Sequence, residues 1–251
     1  MLGDILVVTI QLVSLVTALT LVVLTLVWLE RKVLGRIQRR MGPMRVGPHG
    51  LLQPVADALK LLLKEDIIPG GADKPMFWLA PLVVFVPSFV IWITIPFAPD
   101  IVLRSLDMGL FFIIAFSVLS IVGIVMAGWG SANKYAILGG LRSAAQLISY
   151  EIPIIMVVVT VAMIPQSMNL VTIVEDQRIL PYAAIMPLGF LIFLIAGVAE
   201  VGRTPFDIYF AESEVVGGPF VEYSGAHWAV FFLAEYINTF AIAALVAILF
   251  L

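Results

Sequence analysis

The chain has 251 residues, 62% of them hydrophobic and 12% charged, with a mean hydropathy of +1.11 and a net charge of −3. That charged share is about half of what a soluble domain carries, which leaves too little polar surface for a water-facing globule and too much apolar sequence for a disordered chain. The absence of cysteine removes disulfides, thiolate-held iron–sulfur clusters and Cys-type zinc sites, only His49 and His227 remain as imidazoles for a metal, and the acidic balance argues against a nucleic-acid partner.

What remains is an all-α polytopic membrane protein. A helix needs about 20 apolar residues to cross a bilayer, and six stretches qualify. The first, Ile5 to Leu29, carries no charge. No basic residue precedes it and no small-residue cleavage site follows, so it is not expected to be a signal peptide. The others run from Met76 to Phe97, Met108 to Gly128, Ala144 to Ile164, Tyr182 to Ala199 and His227 to Leu251. Pro81, Pro87, Pro153 and Pro187 fall within them and predict kinks.

Twelve of the fourteen lysines and arginines fall in the loops after spans one, three and five. The positive-inside rule then puts the N-terminus outside the cell. Only Arg104 and Arg178 lie on the opposite side. The whole chain reads as a single membrane domain, 1–251, with two informative inner loops.

The first of these, residues 30–75, is basic and rich in glycine and proline. Gly35, Gly42-Pro43 and Gly47-Pro48 break helices and frame Arg36, Arg39, Arg40 and Arg45 in a defined turn. The bland alternative for these arginines is attraction to anionic lipid. Residues 51–64 then predict an amphipathic helix. Gln53, Asp57, Lys60 and Lys64 recur at helical spacing, and Leu52, Val55, Leu59, Leu62 and Leu63 fill the other face. Such a helix is about 20 Å long, too short to span, and belongs in the membrane interface.

The second inner loop, 200–226, holds Glu200, Asp207, Glu212, Glu214 and Glu222 against Arg203. It is also crowded with apolar and aromatic residues, among them Pro205, Phe206, Phe210, Phe220 and Tyr223. A packed loop is expected to draw these carboxylates out of bulk water. Desolvation and like charge then favour the protonated forms, and neighbouring carboxylates titrate as a coupled set that stores or passes protons. A solvated acidic loop is the alternative. Glu151 and Glu235 lie inside spans, where a carboxylate costs about 3 kcal/mol or more. Glu235 is the cleaner buried case, eight residues into its span beside Phe231, Phe232 and Tyr236, whereas Glu151 sits near the start of its own. The third inner loop, Trp129 to Gln146, offers Gly139-Gly140 for a turn or a close helix approach. No phosphate-binding or dinucleotide motif is present, and Ser224 and His227 lack an oxyanion-hole setting.

Several ordered motifs carry a resemblance. They are Trp28-Leu29-Glu30-Arg31-Lys32, Gly42-Pro43 and Gly47-Pro48, Ala56-Asp57, and Lys64-Glu65-Asp66-Ile67. Asn133-Lys134-Tyr135, Leu138-Gly139-Gly140-Leu141-Arg142 and Ser149-Tyr150-Glu151-Ile152-Pro153 follow. The last are Ala199-Glu200, Arg203, Pro205-Phe206-Asp207, Glu212-Ser213-Glu214 and Glu222-Tyr223-Ser224-Gly225. Together they resemble the quinone-chamber membrane subunit, the H subunit, of proton-pumping NADH:quinone oxidoreductase, respiratory complex I, over almost the whole chain.

The resemblance implies an oxidoreductase subunit with no complete active site and no catalytic residue of its own. It would form part of the quinone chamber, with Glu30, Arg31 and Arg36 near the chamber mouth. Glu151, Glu200, Asp207, Glu212, Glu214, Glu222 and Glu235 would couple quinone reduction to proton movement. Arg203, read apart from the resemblance, would hold one carboxylate ionised, with a simple loop anchor as the alternative. Quinone is the implied substrate. NADH, FMN and iron–sulfur clusters would sit in partner subunits, and no metal or flavin in this chain. The implied partners are the quinone-site and terminal-cluster subunits of the peripheral arm, the adjacent small membrane subunits and the lipid bilayer. The implied location is a bacterial cell membrane, with an organelle inner membrane as the alternative. Eight spans are usual in the family; the further pair would follow Leu251. Tyr209-Phe210-Ala211 is bulkier than the family pattern. An energy-converting hydrogenase or ferredoxin-linked relative, and a membrane anchor without a coupling role, are the alternative functions.

Overall fold

The computed structural model describes residues 2–98, 101–208 and 210–251, without the side chains of 2–4, 212 and 213. The fold is all-helical: α1 Leu2–Ile37, α2 Gln53–Leu63, α3 Lys74–Val90, α4 Gly109–Gly130, α5 Lys134–Met163, α6 Leu170–Asp176, α7 Tyr182–Ile185, α8 Pro187–Glu200, α9 Glu212–Val215 and α10 Gly225–Phe250. Among the described residues, five helices are long and apolar enough to cross a membrane: α1, α3 with the turn to Ile93, α4, α5 and α10. The shorter α8 is also apolar. Large apolar side chains lie exposed along these helices, for example Ile5, Leu12, Leu21, Leu82, Val122 and Met156. Lipid, not water, suits such a surface. The protein is a polytopic membrane protein.

The helices depart from the six predicted stretches in three places. First, α1 continues eight residues beyond Leu29, to Ile37. Residues 30–37 contain no proline, and the single Gly35 does not end the helix. The break comes after it, where Arg39 takes a positive φ of 53° and the Arg40 N–H donates to the Gly35 carbonyl at 2.8 Å. Second, most of the predicted loop 129–146 is helix. Asn133 caps α5, its side chain accepting from the Tyr135 N–H at 2.9 Å. Third, the predicted fifth span is broken at Met186, whose φ of −128° and ψ of 61° separate α7 from α8. The residue before a proline avoids helical geometry, and Pro187 suits the first turn of α8.

The chain divides into two compact units, Met1–Ile67 with Ser224–Ile237, and Ile68–Tyr223 with Asn238–Leu251. In the first, α1 packs on α2, and Leu15, Leu19, Val23 and Val27 form a buried row at helical spacing along α1. The predicted helix 51–64 is present as α2. Its apolar residues Leu52, Leu59, Leu62 and Leu63 are exposed on this unit.

In the second unit, α3 packs on α4, α4 on α5 and α5 on α8. Small residues let the backbones close up. A Cβ on Gly123 would lie 2.5 Å from a Val84 methyl on α3, so only glycine fits there. Phe77, Ala80, Ala127, Ala136, Val161 and Phe193 fill the core. Gln177 ties the end of α6 to α10, its amide donating to the Ile248 carbonyl at 2.8 Å.

Candidate functional site

Helix α5 carries the acidic loop on one face. Gly139, Arg142, Gln146 and Tyr150 follow at helical spacing of three, four and four, so they form one stripe. Each touches the segment that follows α8 or its last turn. A Cβ on Gly139 would lie 2.5 Å from the Gly218 Cα, which makes the stripe's first position a backbone-to-backbone approach. The Arg142 guanidinium donates to the Glu214 carboxylate at 2.5 Å. The Gln146 amide donates to the carbonyls of Ala199 at 2.8 Å and Phe206 at 2.7 Å. The Tyr150 ring meets Phe206 edge-on at 5.5 Å.

One residue past the stripe is Glu151, near the middle of α5 and 8% exposed. The Ser117 hydroxyl on α4 reaches its carboxylate at 3.4 Å and the Ile114 carbonyl at 2.8 Å. A hydroxyl has one hydrogen, and the shorter contact claims it, so Glu151 is weakly served. Glu200 closes α8, and its Oε2 is buried without a hydrogen-bond partner. Both carboxylates lie on helices that pack on each other, α5 and α8. An uncompensated buried carboxylate is costly, so their burial marks a built feature of the unit.

The rest of the loop spreads outward. Arg203 is half-buried, with its backbone N–H bonded to the Val198 carbonyl at 3.2 Å. The Thr204–Pro205 peptide is cis. Asp207 is exposed. Glu222 accepts from the Asn133 amide at 2.6 Å, so the residue that caps α5 also holds the far end of the loop. Next to it, Tyr223 is buried, stacks on Phe77 at 4.0 Å and donates to the Phe77 carbonyl at 3.2 Å. Burial raises its phenol further above its ordinary value of 10.0, so it acts as a fixed donor and not as a proton carrier.

The first unit holds the basic residues. The Arg31 guanidinium donates to Asp57 on α2 at 2.5 Å, and the Gln53 amide donates to the other carboxylate oxygen at 3.1 Å. Burial pushes the Asp57 carboxyl up. The hydrogen bonds from Arg31 and Gln53, with the charges of Arg31 and Lys60, outweigh that and hold it below its ordinary value. The Tyr236 hydroxyl on α10 donates to Glu30 at 2.5 Å. Arg36 lines a cleft of about 300 Å³ with Trp28, Leu29, Lys32, Val33 and His49. Elsewhere in this unit, the Ser224 hydroxyl accepts from the Ile67 N–H at 3.2 Å and His227 Nδ1 pairs with Asp66. These contacts tie the chain after α2 to the start of α10.

The family model described as NADH dehydrogenase matches residues 10–251. The chain is 56% identical over 223 residues to the NADH-quinone oxidoreductase H subunit of Geobacillus kaustophilus (strain HTA426), covering 88% of this chain and 67% of that one. It is 49% identical over 229 residues to the NADH-quinone oxidoreductase H subunit of Dehalococcoides mccartyi (strain CBDB1), covering 91% of this chain and 65% of that one. The chain belongs to the family of NADH-quinone oxidoreductase H subunits. It spans about two thirds of the length of the curated relatives it matches.

Against this family background, the structure gathers only part of the expected acidic set. In the second unit it brings together Glu151 and Glu200, and it holds Glu214 and Glu222 to α5 through Arg142 and Asn133. It does not draw every loop carboxylate inward: Asp207 is exposed and the Glu214 side chain is 56% exposed. The order of burial of the two in-span carboxylates is the reverse of that expected. Glu151 is buried because α5 begins at Lys134, well before the apolar run, whereas Glu235 on α10 is only half-buried. The side chain of Glu212 and the whole of Tyr209 lie outside the described residues. In the first unit, Glu30 accepts from Tyr236, Arg31 donates to Asp57 and Arg36 lines the cleft. Two further residues of the site carry no clear mark in the sequence. Asp57 is visible there as part of a polar helical face, but its pairing with Arg31 is not. Gln146 leaves no signal.

Proposed function

We propose that this chain is the membrane subunit of a proton-translocating NADH:quinone oxidoreductase. It forms part of the quinone chamber and passes the consequence of quinone reduction to proton movement through the acidic loop. Glu30, Arg31 and Arg36 belong to the chamber. Glu151, Glu200, Arg203, Asp207, Glu212, Glu214, Glu222 and Glu235 belong to the coupling set. The observation that carries this reading is the burial of two carboxylates on the packed helices α5 and α8: Glu151 is 8% exposed, and Glu200 has a buried oxygen with no hydrogen-bond partner. Movement of the loop that follows Glu200 would change the solvation of these groups, and a difference of about 1.4 kcal/mol corresponds to one pKa unit. The α5 stripe supports the same reading, since it fixes the loop to the helix that carries Glu151.

In this reading quinone is the substrate, and NADH, FMN and iron–sulfur clusters are held by partner subunits of the peripheral arm. Adjacent small membrane subunits and lipid cover the apolar helices. The N-terminus faces outward and the basic loops face the cytoplasm of a bacterial cell, as the lysine and arginine distribution supports.

The test is to purify the intact membrane assembly and measure NADH oxidation by quinone, with and without a quinone-site inhibitor. Inhibitable turnover is expected. Glu200→Gln, Glu212→Gln and Glu214→Gln are expected to lower quinone-coupled turnover and proton transfer while the assembly persists. Turnover and pumping at wild-type levels in all three would sink the coupling role. A well-assembled complex that oxidises hydrogen or reduced ferredoxin without quinone would replace the quinone role.

A further inference from the structure

Trp28, Lys32 and Arg36 stand at i, i+4 and i+8 on α1, and Leu29 and Val33 form the row beside them. Such spacing places both rows on one side of the helix. His49, from the loop that precedes α2, completes the cleft of about 300 Å³ over these two rows. The loop is fastened there: the Trp28 indole N–H donates to the His49 carbonyl at 3.3 Å. The cleft thus brings one lysine, one arginine and one histidine together with an indole and two aliphatic side chains.

The charges at the cleft are not spent among the described residues. Arg31 has Asp57, but among the described residues neither Lys32 nor Arg36 makes an ion pair. The Lys32 ammonium meets only the Met44 thioether, at 2.9 Å, and the face of Trp28, at 5.8 Å. A thioether is a weak acceptor and a ring face a modest one. Two uncompensated cations that converge on one cleft call for an anion. The two aliphatic side chains call for a hydrocarbon chain on the same molecule. The cleft also lies at the polar end of a membrane-length helix, at the level where tryptophan prefers the lipid headgroup region.

We propose that this cleft binds the phosphate headgroup of an anionic phospholipid, with Lys32, Arg36 and His49 on the phosphate and Leu29 and Val33 along an acyl chain. A neutral quinone ring would leave both cations unmatched; Arg36 is shared with the chamber proposed above, so the test is carried by Lys32 and His49, which that reading does not use. Free inorganic phosphate shares the headgroup chemistry but leaves the aliphatic side chains uncovered.

The experiment titrates phosphatidylglycerol onto the full chain, purified free of lipid in a non-ionic detergent, and counts bound molecules by native mass spectrometry. Phosphatidylcholine and inorganic phosphate are the parallel arms. One phosphatidylglycerol is expected to bind more tightly than the rest. Each lysine or arginine near an anionic lipid contributes enough for about a fivefold change in affinity. Lys32→Gln should therefore weaken that molecule about fivefold, His49→Gln should weaken it by altering the hydrogen bonding to the phosphate, and Lys32→Arg should retain it. Should Lys32→Gln misfold, Lys32→Arg and His49→Gln still give the comparison. Equal retention in wild type, Lys32→Gln and His49→Gln overturns the site. Phosphatidylcholine binding as tightly as phosphatidylglycerol overturns the anion role, and phosphate competing at equal affinity overturns the lipid assignment.

Discussion

Arg142 on α5 holds Glu214 of the acidic loop at 2.5 Å, yet the two side chains are 37% and 56% exposed. Solvent screens such a pair, and its contribution to stability is about 0.5 kcal/mol. Its effect is positional. Arg142→Gln is expected to leave the unfolding temperature nearly unchanged while amide exchange rises around α9. Hydrogen exchange read by mass spectrometry checks this. Unchanged protection around α9 would show that the pair does not position the loop.

Gln146 is the opposite case. It is buried, and one amide serves the Ala199 and Phe206 carbonyls together. Gln146→Leu fills the space but strands the Phe206 carbonyl, whereas the Ala199 carbonyl keeps the Gly202 N–H at 3.1 Å. A loss of roughly 1–3 kcal/mol for one stranded buried group is ordinary, so a drop in thermal stability in detergent is expected. Stability equal to wild type would mean that another donor serves the Phe206 carbonyl.

Gly139→Ala tests the top of the stripe. The added Cβ would meet the Gly218 Cα at 2.5 Å and the Pro219 nitrogen at 2.9 Å. Both are backbone atoms and cannot rotate away. Overpacking of this kind costs about 1–3 kcal/mol. The expected result is lower thermal stability and faster proteolysis between 211 and 222. Gly71→Ala is the control, because its nearest neighbour would stand 3.9 Å away.

Asp57 predicts an acid-side signature in the first unit. Its folded pKa is held below the ordinary value of 3.8. A depressed carboxyl stabilises the fold fully above its unfolded pKa and loses that contribution as pH falls through the folded one. Wild type should therefore lose stability below about pH 4 by a component that Asp57→Asn lacks. Chemical unfolding from pH 6 to pH 3 measures it. Parallel curves for the two proteins would remove Asp57 from the account of acid sensitivity.

The apolar runs were legible because lipid imposes one demand, a long stretch without charge. That demand located α3, α4 and α10 closely. It missed the polar ends of α1 and α5, where helix continues through Glu30–Ile37 and begins at Lys134 without help from hydropathy. It also missed the break at Met186, which depends on Pro187 and not on polarity. The carboxylates announced themselves by being charged in the wrong place. Gln146 did not, because glutamine is common and its two acceptors lie 53 and 60 residues further along the chain. The relative burial of Glu151 and Glu235 depended on where α5 begins, so an error in a helix boundary became an error in a site.

The stripe on α5 also bears on which length changes the chain can absorb. One residue inserted between Gly139 and Tyr150 would turn everything beyond it by about 100°. Some of the four contacts would then face away from the loop while the others stayed. Among the described residues, the loop between Phe206 and Glu214 shows no such stripe. An insertion there lengthens a connection whose two ends remain fastened. Natural variation in length is therefore expected to accumulate in the loop and to be purged from the helix, even where the helix residues themselves change.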